Sequence, residues 1–113
     1  MNTARRETRL ALAQRASAAI LALCTLIHLA TIVYAIRGGL SAGEILERTR
    51  SSVAAAAFYG LFLAAVAVHA PLGLRNVARE WLGLHGRALE ALTVALAVLL
   101  LGLGGRALWA VVG

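Results

Sequence analysis

The 113-residue chain is poor in most of what a water-soluble enzyme relies on. Its one cysteine, Cys24, lies inside an apolar run. There is therefore no disulfide framework, no paired-cysteine zinc site and no CxxCH for covalent haem attachment, and the thiol reads as a small core residue. Proline occurs once and charged residues make up only 14%, against 61% hydrophobic residues and a mean hydropathy of +0.83. A small domain leaves a large share of its surface facing water, so a soluble fold of this length has nowhere to hide that much apolar side chain. That argues against a one-core enzyme with a water-filled cleft. Charge of one sign is also scarce: five acids, all Glu, face eleven basic residues, all Arg, for a net charge of +6. In a soluble chain this excess would suggest nucleic acid. Here the arginines stand in short clusters between long apolar runs, so they read as loop residues beside a membrane, and no nucleic-acid partner is expected. No internal repeat, low-complexity tail or second domain is visible.

What the sequence does have is three long apolar runs, roughly Ala16 to Ile36, Val53 to Leu74 and Ala88 to Ala110. Each holds about 20 residues or more, enough to cross a hydrocarbon core of about 30 Å at about 1.5 Å per residue. Lipid offers no hydrogen-bond partners, so the backbone must satisfy itself and the runs are helices. A cleavable signal peptide is the rival for the first run, because Arg5, Arg6 and Arg9 precede it. That run is too long for such a segment, however, and ends at Arg37-Gly38-Gly39 without an A-x-A pattern. The expected fold class is all-α, an integral membrane protein of three helices forming one domain over residues 1–113. Between the first two spans, Ser41-Ala42-Gly43-Glu44 has capping-box spacing and is followed by Ile45-Leu46, which predicts a short amphipathic helix over about 42–50 on the outer surface.

Orientation follows from the arginines. The N-terminal segment and the loop after the second span carry seven (Arg5, Arg6, Arg9, Arg15, Arg75, Arg79, Arg87), whereas Arg37, Arg48, Arg50 and Arg106 lie on the other side. The N-terminus is thus expected in the cytoplasm, the chain being a multi-pass protein of a bacterial inner membrane. Tyr34, Phe58, Tyr59 and Trp109 fall at the outer ends of the spans and Trp81 beyond the inner end of the second, as an aromatic belt would.

Any chemistry of this chain must come from the few polar residues within the spans. Ionisable groups there are costly and face a protein interior, which makes His28 and His69 the functional candidates; His85, in the inner loop, reads as an interface or surface residue. A lone membrane histidine can simply hydrogen-bond a neighbouring helix. Two on separate helices favour ligation, and the metal best suited to neutral imidazole in a dry helical bundle is haem iron. Counting from Ala16, His28 lies about 18 Å deep, while His69, six residues before Arg75, lies about 9 Å from the same face. Axial nitrogens on one iron are only about 4 Å apart, so one chain should not supply both ligands to one haem. Gly73, one turn from His69, would let a flat macrocycle or a second helix approach, and Arg75 could pair with a carboxylate such as a haem propionate.

The segment His69-Ala70-Pro71-Leu72-Gly73-Leu74-Arg75-Asn76-Val77-Ala78-Arg79-Glu80-Trp81 resembles the H-x-x-x-G-[IL]-R-x-x-x-x-[DE] motif of the cytochrome b membrane-anchor subunits of succinate dehydrogenase and fumarate reductase. Gln14-Arg15-Ala16-Ser17 is similar to that family's H-R-x-S-G at the start of the first span, and three spans with the N-terminus inside are its usual layout. The resemblance implies that His69 is an axial ligand of haem b, with Gly73 beneath it and Arg75 near the propionates and quinone pocket. It also implies that Arg15 and Ser17 border a ubiquinone or menaquinone site. Gln14, Ala18 and Ala11 depart from the family pattern, which expects histidine, glycine and serine there.

In the dihaem members of that family, a first-helix histidine binds a distal haem and a second-helix histidine a proximal one, each iron taking its other ligand from a second half of the anchor. With His28 and His69 at two levels, this chain resembles one such half, pairing with a second copy of itself or a paralogous subunit. The expected role is that of a non-catalytic subunit that docks a flavoprotein and an iron–sulfur subunit on the cytoplasmic face and passes electrons to haem b and quinone. The alternatives are a haem-free quinone-binding anchor, or a small helical membrane protein without cofactor, such as a transporter half or an assembly subunit.

Overall fold

A computed structural model describes residues 3–113. Four helices follow one another: α1 (Thr3–Arg37), α2 (Ala42–Thr49), α3 (Val53–Trp81) and α4 (Gly86–Val112), with no strand among the described residues. The three long helices are each apolar and long enough to cross a membrane, and the chain is an all-α multi-pass membrane protein.

Local sequence sets the helix ends. Helix α1 stops in a Schellman motif, in which the Leu40 and Gly39 amides donate to the carbonyls of Ala35 (3.0 Å) and Ile36 (3.1 Å). Gly39 sits at φ 65°, a conformation where a side chain would be strained. Helix α2 begins in a complete capping box: the Glu44 amide donates to Ser41 Oγ (3.2 Å), and the Ser41 amide donates to the Glu44 carboxylate (3.4 Å). Ser52 caps α3 by accepting from the Ala55 amide at 3.1 Å. Pro71 is buried inside α3, and the helix continues through it.

Helix α3 is the middle of the bundle, packed by α1 along one side and α4 along the other. The buried residues are small for the most part: Ser17, Cys24, Ala65, Ala67, Pro71 and Ala78, with Leu89 and Arg75. Large apolar side chains point outward instead, Leu23 and Leu26 on α1 and Val98 and Leu103 on α4 among them. This is the reverse of a soluble core. In lipid, the tails solvate large side chains as well as a partner helix does, and close backbone approach through small residues holds helices together.

The helices overrun the apolar runs. α1 starts at Thr3 rather than Ala16, and α3 extends past Leu74 to Trp81. The longest dimension is 51 Å, well beyond a hydrocarbon core of about 30 Å. Ion pairs tie the overrunning end of α1 to its neighbours, with Arg79 Nη1 3.1 Å from Glu7 Oε2 and Arg6 paired to Glu90. Helix α2 does more than lie on a surface. Thr49 Oγ1 donates to the Val111 carbonyl (2.8 Å) and the Ser51 amide to the Val112 carbonyl (2.9 Å), so α2 folds onto the end of α4 and satisfies carbonyls that the helix terminus leaves open.

Candidate functional site

His28, half-buried on α1, faces α3, where the Tyr59 hydroxyl stands 3.3 Å from its Nδ1. The Tyr59 and Phe62 rings meet the imidazole edge-on, at centroid distances of 5.5 and 5.8 Å. Two apolar grooves border this histidine, one of about 530 Å³ among α2, α3 and α4 and one of about 430 Å³ under α2 between α1 and α3. Both fall within the range of about 300–1,000 Å³ usual for small-molecule sites. Arg48 of α2 reaches the second groove and lies over the Tyr34 ring, 5.9 Å from its centroid. On the first groove's wall, Gly104 lets α4 close on α3; a Cβ there would run into Leu63 Cδ1.

His69 faces the other way along the bundle. Its Nδ1 is 3.5 Å from Ser17 Oγ on α1, and Ser17, only 5% exposed, also donates its hydroxyl proton to the Gln14 carbonyl at 3.0 Å. Gly73, on the same face of α3 as His69, is approached by Gln14: a Cβ at 73 would lie 3.5 Å from its Nε2. The clearance that glycine opens is thus used by α1 of the same chain, and Gln14 Oε1 is left buried with no hydrogen-bond partner. Neither large groove reaches His69. Arg15 and Ser17, read together from the sequence, part company. Two residues turn a helix through about 200°, so Ser17 points inward while Arg15 is exposed.

The two histidines are farther apart than membrane-edge counting predicts. Ser17 is level with His69 and His28 with Tyr59, which separates the levels by about 16 Å along α1 and about 15 Å along α3, against the expected 9 Å or so. The edges chosen from sequence, Ala16 and Arg75, do not lie at one height. Arg75 reaches Glu7, more than two turns below Ala16 on α1.

Arg75 is the most buried charge, 5% exposed. Its Nη2 is 3.4 Å from Glu7 Oε1 on α1 and 3.4 Å from Glu90 Oε1 on α4, so one guanidinium ties all three long helices. Its Nε is buried without a partner. Glu7 is held below the ordinary carboxylate value of 4.5, chiefly by the Arg79 hydrogen bond; partial desolvation opposes this, and the Arg75 and Arg79 charges add to the lowering. A groove of about 160 Å³ beside this cluster is also lined by Asn76 and Glu80. Sequence reasoning missed Glu7, Glu90 and Tyr59 as partners. Glu90 carried a usable signal, being an acid inside an apolar run, the same rule that singled out the histidines. Glu7, lost among arginines, carried none.

Comparison with known proteins gives no match. No family model fits the chain, and neither a curated protein nor a solved structure is similar to it. Function therefore rests on the residues. His85 is exposed, with Nδ1 2.9 Å from the Gly83 carbonyl, and belongs to the turn before α4. Among the described residues, no three or more His, Cys, Asp or Glu side chains converge as a cage for a bare metal ion. What the chain offers is one imidazole at each of two levels, with Nδ1 held by a hydroxyl and Nε2 without a hydrogen-bond partner among the described residues.

Proposed function

We propose that the chain is a membrane anchor that binds haem b and carries electrons between an iron–sulfur subunit and quinone, in a succinate:quinone oxidoreductase or a fumarate reductase, as one half of a dihaem anchor. One observation carries this reading: the paired arrangement of His28 and His69, each steadied through Nδ1 by a hydroxyl on the neighbouring helix, at levels about 15 Å apart. A metal-ligating imidazole needs this division of labour, one nitrogen held in place and the other presenting its lone pair. A macrocycle brings four ligands of its own, so one histidine from this chain at each level would be enough to hold it and no multi-residue cage is required.

Bound haem supplies one-electron transfer. The chain's own residues hold the ligands at two heights, keep water away with apolar walls and, through Arg75 and its two carboxylates, brace the helices that carry the histidines. Arg75 shares its charge with Glu7 and Glu90, so a propionate placed there joins an existing ion cluster rather than meeting a free cation. Another chain, a second copy or a paralogous subunit, would supply the further ligand at each level, and the outward-facing apolar side chains suit such an assembly. By the arginine count, the N-terminus and the α3–α4 turn face the cytoplasm of a bacterial inner membrane. A flavoprotein and an iron–sulfur subunit dock there and perform the dicarboxylate chemistry, and the exposed Arg15, rather than the inward-facing Ser17, lies toward the quinone.

Two rival readings have support of their own. The apolar grooves beside His28 suit a quinone without haem, and the two hydroxyl contacts are also what purely structural histidines would make. An optical spectrum of the purified complex, oxidised and then dithionite-reduced, separates the haem reading from both. A b-type α-band is expected; its absence from a reconstituted complex sinks the haem reading. His28→Ala should remove one of two haems and His69→Ala the other.

A further inference from the structure

We infer that Ser17 is a positioning residue that sets the tautomer of His69, fixing its proton on Nδ1 and so leaving the lone pair on Nε2. A serine hydroxyl has one proton to donate and two lone pairs with which to accept. Ser17 has two partners in reach, the Gln14 carbonyl at 3.0 Å and His69 Nδ1 at 3.5 Å. The shorter contact takes the proton, in the pattern common for helix serines bonding back to the preceding turn. Oγ then has only lone pairs to turn toward His69. An unprotonated Nδ1 would set lone pair against lone pair in a spot where Ser17 is only 5% exposed. A protonated Nδ1 makes a hydrogen bond instead.

Neutral imidazole carries one N–H, so this choice leaves Nε2 bare and able to bind a metal. His28 is not governed in the same way. The Tyr59 hydroxyl has no second acceptor among the described residues, so it can donate to His28 Nδ1 or accept from it, and either tautomer is satisfied. The two levels therefore differ: His69 is prepared as a ligand before anything binds, whereas His28 becomes one only when its tautomer follows. The motif resemblance places Ser17 beside quinone, but the geometry gives it work at the histidine. The consequence for ligation rests on the haem reading; the tautomer itself does not.

The test is made on the full-length chain, haem-free and in lipid nanodiscs, with ¹⁵N-labelled histidine at about pH 8.5, above the ordinary imidazole range. Long-range ¹H–¹⁵N correlations report which ring nitrogen of each histidine is protonated. The expected result is a His69 with Nδ1 protonated and Nε2 bare. Ser17→Ala should move the His69 tautomer ratio about tenfold toward the Nε2–H form, the worth of roughly one hydrogen bond, and leave the His28 signals in place. Ser17→Thr keeps the hydroxyl and should restore the wild-type pattern. A wild-type His69 protonated on Nε2 overturns the inference, as does a Ser17→Ala chain with intact His28 signals and an unchanged His69. In the assembled complex, Ser17→Ala should weaken retention of the His69-level haem about tenfold or more and spare the other. If the tautomer is as inferred but the complex binds no haem, the inference stands and the haem reading alone fails.

Discussion

Replacing Arg75 by Met should destabilise the bundle far more than any other single loss of charge. The guanidinium is 5% exposed and bonds carboxylates from α1 and α4 at 3.4 Å each, so its removal leaves two acids beside an apolar interface. Breaking a buried ion pair by deleting one partner costs about 3–5 kcal/mol. The magnitude here is smaller for two reasons. The Glu7 and Glu90 side chains are each 40% exposed, and Arg79 and Arg6 remain as their partners. Water and those residual pairs recover part of the cost, which leaves about 2 kcal/mol, or roughly a thirtyfold fall in the folding equilibrium constant. Arg79→Met is the control: that pair is exposed on both sides (39% and 40%), so its loss should cost under about 1 kcal/mol. The assay is SDS titration of the purified chain in mixed micelles, with helix packing followed by distance labels on α1 and α4. The triple variant Arg75→Met, Glu7→Gln, Glu90→Gln should regain most of the loss, because a buried charge cluster replaced by neutral groups is often no less stable. If Arg75→Met is no worse than Arg79→Met, or the triple variant is worse than the single, the three-helix tie is refuted.

Three further outcomes follow from the same contacts. Glu7 titrates below its usual 4.5 in the folded chain, so it adds stability that is present above that value and is lost as pH falls through the lowered one; SDS midpoints measured from pH 7 to pH 3 should drop, and Glu7→Gln should flatten the drop. Gly104→Ala sets a methyl against Leu63 and should cost about 1–3 kcal/mol in the same titration, with Leu63→Ala restoring much of it. Ser41→Ala removes the capping box of α2 at a cost of about 1 kcal/mol, so amide hydrogen exchange over residues 42–49 should quicken about fivefold while α3 is unaffected.

Contacts close in sequence show in the sequence, and contacts far apart in it do not. Ser41 and Glu44 announced their capping box by spacing alone, because a cap is a contact within four residues. The apolar runs announced three helices, because lipid leaves the backbone no other way to bond. His28 and His69 stood out because ionisable side chains are rare and costly at that depth. Their partners did not stand out. Tyr59 read as a belt aromatic, and Ser17 as a residue bordering a quinone site rather than as a partner of His69. What makes each of them matter is a residue 31 or 52 positions away. Arg75 read as a cation awaiting an anion, when the anions, Glu7 and Glu90, belong to the same chain.

By itself, then, the sequence determined the solvent and the elements: a membrane, three long helices, one short capped helix, and which side chains are too costly to be idle. Periodicity, length and composition carry that information because each is a local or summed property of the chain. Only the tertiary structure decided heights and pairings. The apolar runs mark where lipid begins but not how far a helix continues past it. Once α1 is carried down to Thr3 beside α3, Arg75 falls opposite Glu7, His69 opposite Ser17, and the two histidines stand about 15 Å apart rather than 9 Å. Register between antiparallel helices is set by small residues and ion pairs distant in sequence, and it decides which hydroxyl each imidazole meets.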